Sequence, residues 1–180
     1  SIGISSGTAY LVVPTDSYNS VIVNHDSYTW QNPSFTPRPV DEWVVYELHV
    51  GTFAGRNDPA GSTPNPSRYI DVAARAGHLA ELGINAVMLN PIHEFPGDFS
   101  GGYNSISAYA IESKLGTPDQ FKQMVDALHA RGIAVLLDVV WNHVSSSDNF
   151  LWNFDGTQSY FDTPAVETPW GAQADFDATG

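Results

Sequence analysis

The chain contains no cysteine. It therefore has no disulfide framework, no thiolate zinc site and no cysteine nucleophile, an absence that leaves the compartment open. Positive charge is nearly as scarce: seven Lys and Arg stand against 20 Asp and Glu, a formal net charge of -13. Such a surface repels phosphate backbones, so nucleic acid is not an expected partner, whereas a neutral ligand or a cation is. No apolar run approaches the roughly 20 residues of a membrane helix, and no membrane partner is expected. The chain opens at Ser1 without a Met or a charged-then-apolar leader pattern, so it is expected to be processed or cut from something longer. The remaining composition suffices for a core. The 180 residues are 42% hydrophobic and 15% charged, enough for one domain or one domain plus a fragment.

The first forty residues read differently from the rest. "TAYLVVP" and "SVIVNHDSYTW" are short runs rich in β-branched and aromatic residues, separated by "TDSYNS". They predict strand, turn and strand. Two strands alone are marginal in water, so they are expected to pair with other strands or to lie on the rest of the chain. "QNPSFTPRPV" has three prolines and no periodicity, and reads as a linker.

From Asp41 the rhythm changes. "WVVYELHV", "INAVMLNPI" and "IAVLLDVV" are strand candidates, near-continuous apolar runs of the kind buried on both faces. Between them, "SRYIDVAARAGHLAEL" predicts one helix, with Ser67 as N-cap and Gly83 as stop. "TPDQFKQMVDALHAR" predicts a second, capped by Thr117, with Pro118 at its first position and Gln120 completing a capping box. Phe121, Val125 and Leu128 recur at helical spacing. This alternation implies an α/β fold with parallel strands and right-handed crossovers, either a doubly wound sheet or a (β/α)8 barrel. In both, ligands gather at the carboxyl ends of strands. His49, Asn90, His93, Asn142 and His143 fall there, and the loops beyond them interleave aromatic rings with Asp, Asn and His. Rings can cover the apolar faces of a sugar while polar groups take its hydroxyls.

Trp43 to Asp155 resembles the first part of the α-amylase family of glycoside hydrolases (family 13). "DVVWNH" (Asp138 to His143) is similar to the family's first signature region. "YELHVGTF", "GINAVMLNPIHEFPG", "GGYN" and "GTPDQFKQMVDALHARGIAVLLD" match in order and spacing. The resemblance implies a (β/α)8 TIM barrel of which residues 40–180 carry the first three βα units. Residues 1–39 resemble the end of the β-sandwich, carbohydrate-binding-like module that often precedes such barrels, together with its linker.

By that resemblance, His143 hydrogen-bonds the sugar next to the cleaved bond and Tyr103 stacks on it. Asp138 orders neighbouring polar groups at the strand end and is not the nucleophile. Asn142 matches a position that ligates calcium in many members and is a structural hydrogen-bonder in others; Asp148 and Asp155 are its candidate partners. His93 joins the substrate-binding set, and Glu94 and His49 also follow strand ends. Each has a plainer alternative: Asp138 as a strand end accepting turn amides, His143 as a satisfied loop histidine, Tyr103 as lid packing. His78 and His129 lie within helices and read as structural. "DFDATG" is too short for a cation loop and lacks the later bidentate acid.

Retaining glycosidases need two carboxylates. In this family they come from strands four and five, and no match to those regions occurs after His143. The resemblance thus implies a segment of a retaining α-1,4-glucan hydrolase with no catalytic acid of its own, no required cofactor and a calcium ion only if Asn142 ligates one. Its partners are an α-glucan and the remainder of its own barrel, which another chain could carry. A 1,4-α-glucan branching enzyme and a non-catalytic glucan-binding protein are the alternatives. Branching enzymes usually replace the asparagine before the histidine, which favours hydrolysis here; "GGYN" for the family's "WGYD" leaves the subgroup open.

Overall fold

A computed structural model of the chain describes residues 4–5, 10–11, 18–54, 66–97, 99–107, 109–145, 161 and 167–175. Packing divides the chain into two units, one of Ser1–Leu89 with Ser113–Leu136 and one of Asn90–Glu112 with Leu137–Gly180.

The first unit opens with three short strands, β1 (Ile4–Ser5), β2 (Tyr10–Leu11) and β3 (Tyr18–Val21), in the order β1-β3-β2. β2 runs antiparallel to β3, with Leu11 opposite Tyr18. The second strand was expected from Ser20, but β3 begins at Tyr18, inside the stretch read as the turn, and β1, parallel to β3, was not anticipated. The second run does not continue as a strand. β3 ends at Val21, and His25–Ser27 form a 3-10 turn in which Asn24 Oδ1 accepts the Asp26 amide at 3.1 Å. Asn, Asp and Ser side chains bond nearby backbone and so compete with a sheet ladder.

Three longer strands come next. β4 (Val45–Leu48), β5 (Ala86–Leu89) and β6 (Ala134–Leu137) form a parallel sheet in the order β4-β5-β6. The β4–β5 register pairs Val45 with Ala86 and Leu48 with Leu89. Among the described residues only β5 is flanked on both sides. Its Ala86, Val87 and Leu89 are wholly buried, whereas Val45 and Tyr46 of β4 and Leu137 of β6 are exposed. Burial of all three strands was expected from their apolar runs. β4 and β6 depart from it because they are the edges of the sheet.

The helices complete the unit. The predicted helix from Ser67 divides into α2 (Tyr69–Ala73) and α3 (Ala76–Glu81), after the single turn α1 (Val50–Phe53). Ser67 is not its cap. Arg68 occupies that position, and its amide donates to Asp71 Oδ2 at 2.8 Å. Ser67 is instead buried, its amide donating to Gly51 O at 2.9 Å and its Oγ accepting the Ala54 amide at 3.3 Å. Gly83 ends α3 with φ +83°, a conformation that suits glycine.

α4 (Pro118–His129) forms as predicted. Thr117 Oγ1 accepts the Gln120 amide at 3.2 Å, and Gln120 Oε1 accepts the Thr117 amide at 2.9 Å. Met124, Val125 and Leu128 turn inward, and Tyr69 meets Phe121 edge to face at 5.3 Å. Leu79 and Leu128 are fully buried, each worth about 1.5–3 kcal/mol over exposure.

α4 also buries a charge. Asp126 accepts Tyr28 Oη at 2.7 Å and the amides of Gln31 at 3.0 Å and Asn32 at 3.1 Å. Residues expected to be linker are thereby stapled to the helix. Burial alone would raise the Asp126 pKa, but these hydrogen bonds outweigh it and hold the carboxyl below its ordinary value.

Candidate functional site

The second unit carries the strand-end residues. Asn90 directly follows β5 and Asp138 directly follows β6. Between them in sequence, a loop brings Tyr103 to both. Its hydroxyl donates to Asp138 Oδ2 at 2.8 Å and accepts from Asn90 Nδ2 at 3.4 Å. The phenol is thus held at its tip while the ring stays 43% exposed. Gly102 makes the approach feasible. It has φ +87°, and a Cβ there would overlap the Pro91 carbonyl oxygen.

His143 is buried. Its Nε2 lies 2.8 Å from the Tyr103 carbonyl. A carbonyl only accepts, so Nε2 carries the hydrogen and Nδ1 accepts from Asn142 Nδ2 at 3.2 Å. Both ring nitrogens are therefore engaged by the protein. The Trp170 indole, 62% exposed, stacks on the imidazole at 5.7 Å between centroids and 27° between planes. Trp170 sits at the turn of a two-stranded hairpin, β7 (Glu167–Thr168) and β8 (Gly171–Ala172). The segment after β8 bonds back, with the Ala174 amide donating to Asn142 O at 3.0 Å.

His93 stands apart from that cluster's hydrogen bonds. Its ring lies 5.9 Å from that of Trp141, and Trp141 lies 6.4 Å from Tyr109. His93 Nδ1 is buried without a hydrogen-bond partner among the described residues. Burial lowers the His93 pKa, so the ring is neutral near pH 7. The loop that bears it is pinned by Glu112, a buried carboxylate that accepts the Phe95 amide at 3.1 Å.

The structure thus brings Tyr103, Asp138, Asn142 and His143 together and places His93 beside Trp141. His49 lies in the other unit, 3.3 Å from Thr52 Oγ1 through its Nδ1. Glu94 contributes its backbone, donating to Ala110 O at 2.9 Å. His78 is exposed on α3, and His129 stacks on Phe35 at 3.9 Å. Among the described residues, no three of His, Cys, Asp and Glu are grouped to hold a metal ion. Asp148, Asp155 and most of "DFDATG" lie outside the described residues. Sequence reasoning marks Asn90 only as a strand-end residue and misses Trp170. The one available signal for Trp170 is a tryptophan in the turn-forming "TPWG".

An α-amylase catalytic-domain family model matches residues 71–168, more than half of the chain. The malto-oligosyltrehalose trehalohydrolase of Saccharolobus solfataricus is 33% identical over 161 residues, 89% of this chain and 26% of that protein. The 1,4-alpha-glucan branching enzyme of Vibrio cholerae is 37% identical over 152 residues, 81% of this chain and 20% of that enzyme. The crystal structure of an alpha-amylase candidate from Salmonella typhimurium superposes with a TM-score of 0.76 at 34% identity, covering 90% of this chain and 25% of that one. The chain spans about a quarter or less of the length of each of these relatives.

Proposed function

We propose that this chain, which belongs to the α-amylase family of glycoside hydrolases, serves in a retaining enzyme that cleaves α-1,4-glucosidic bonds. The observation that carries the proposal is the fixed phenol of Tyr103, anchored by Asp138 and Asn90 while the residue stays 43% exposed. A ring held by its hydroxyl loses little freedom when a sugar stacks on it, so less of the stacking energy is spent on ordering. Asp138 acts here as a positioning group, since its Oδ2 accepts the hydrogen bond of the Tyr103 hydroxyl.

His143 reads as the post that ties this wall to the next loop, through the Tyr103 carbonyl and Asn142. To bond a sugar hydroxyl directly, its Nε2 would exchange the carbonyl for the substrate. The nucleophile and the acid–base carboxyl come, in this reading, from residues beyond those described. The three-stranded sheet is read as the start of a (β/α)8 barrel and β1 to β3 as the tail of a β-sandwich module. No cofactor is required.

A branching transferase is the second reading, favoured by the 37% identity to the Vibrio cholerae enzyme. The test is to incubate the intact protein with amylose. Hydrolysis raises reducing ends in proportion to the bonds lost. Branching shifts the iodine colour with no net rise in reducing ends. Tight binding of amylose with neither change would leave a glucan-binding protein instead.

A further inference from the structure

We propose that Tyr109, Trp141 and His93 form a second sugar platform that takes a curved, uncharged α-linked glucan strand, an inference that rests on the glucan-active reading above. Trp141 neighbours both Tyr109 and His93, at 6.4 and 5.9 Å between ring centroids, and each is inclined to it by 49°. Tyr109 is 95% exposed and Trp141 46%. Two large exposed rings 6.4 Å apart offer adjoining apolar faces to a ligand.

The tilt bears on the kind of ligand. A β-1,4-linked glucan is extended and offers successive sugar faces to a flat strip of rings. An α-1,4-linked glucan turns from one sugar to the next, and rings inclined to one another follow that turn. Charge bears on it as well. The formal net charge of -13 opposes anions, and His93, neutral near pH 7 because burial depresses its pKa, adds no positive charge. Half-buried His93 acts as a buttress. Its ring lies 5.9 Å from that of Trp141, and in this proposal it limits the indole's freedom before a ligand arrives, which lowers the ordering cost of binding. The platform also adjoins the wall built on Tyr103 along the chain, because Trp141 directly precedes Asn142 and His143.

The test titrates the intact protein with maltohexaose and with cellohexaose, following tryptophan fluorescence and calorimetric heat, and measures amylose conversion in parallel. Wild type is expected to bind maltohexaose in preference to cellohexaose. Trp141→Ala and Tyr109→Ala are each expected to weaken maltohexaose binding about tenfold, as for loss of an aromatic anchor. Trp141→Phe, which keeps a ring, should recover most of the affinity. Should Trp141→Ala fail to fold, Tyr109→Ala decides, since so exposed a side chain has little packing to lose. Wild-type affinity in both alanine variants, with amylose still converted, overturns the platform and leaves the glucan reading standing. Equal affinity for the two hexasaccharides overturns the curvature argument. A wild type that neither binds maltohexaose nor converts amylose overturns both.

Discussion

At Gly102 one hydrogen atom decides where an aromatic ring can stand. The residue holds φ +87°, and a Cβ would overlap the Pro91 carbonyl oxygen. Gly102→Ala is expected to cost about 1–3 kcal/mol through backbone strain and to displace neighbouring Tyr103. A lowered thermal midpoint together with weaker amylose conversion would bear this out; a variant that melts like wild type would contradict it. His143→Ala is expected to lose turnover and stability together. Both imidazole nitrogens are engaged in a buried setting, so its removal strands their partners at about 1–3 kcal/mol. Loss of turnover with an unchanged melt would instead assign His143 to the substrate alone. EDTA treatment is expected to leave activity unchanged. Loss restored by calcium would make Asn142 an oxygen ligand. That Tyr103, Asp138 and His143 belong to one neighbourhood was legible because each lies in a motif that resembles the α-amylase family. The grip of Asn90 on Tyr103 and the stack of Trp170 on His143 were not, because each joins residues 13 or more positions apart that no local pattern relates.

Among the elements, α4 was the most legible, since its cap, its proline and its inward stripe all point one way. Thr117→Ala should cost about 1 kcal/mol of stability, read as a lower thermal midpoint. The break between α2 and α3 was not legible. "AAR" at positions 73–75 favours helix by propensity, yet Arg75 leaves helical geometry at φ -105°, ψ 8°, with its guanidinium donating to Ala54 O at 2.6 Å. Nor does a helical pattern reveal that an aspartate on α4 will be buried and bonded by three distant groups. Asp126 makes the element's pH dependence predictable. Its folded pKa lies below the ordinary carboxylate value, so its stabilisation is complete above about pH 4 and is lost as pH falls through the depressed value. His129 titrates earlier. Burial holds its pKa below 6.5, with Asp126 partly opposing, so the folded state keeps the ring neutral where the unfolded chain would protonate it. Its stabilisation is whole above pH 6.5 and declines below that. Thermal midpoints tracked from about pH 8 to about pH 3 should therefore fall in two stages, and Asp126→Asn should start lower and remove the second. A second stage that persists in Asp126→Asn would assign it to another carboxylate.

For the molecule as a whole, the governing fact is an apolar surface left open. Val44, Val45 and Tyr46 at β4, and Leu137 and Val139 at and after β6, are each more than a third exposed. In sequence these runs look like buried strands, because hydrophobicity records what a strand is made to pack against and not which neighbours are in place. Among the described residues no strand pairs with the outer edges of β4 and β6, and such edges invite association. Residues 1–180 expressed on their own are therefore expected to be poorly soluble. They are also expected to release no reducing sugar from starch and to transfer no glucan. The chemical reason is the need for two carboxylates across the scissile bond, one to form the glycosyl intermediate and one to protonate the leaving oxygen. In the proposed reading neither Asp138, which accepts from Tyr103, nor Glu112, buried on the Phe95 amide, takes either role. Light scattering and a reducing-sugar assay on residues 1–180 would check both expectations. A monodisperse preparation that hydrolyses starch would overturn them and shift the search for the nucleophile to Asp138 and Glu94.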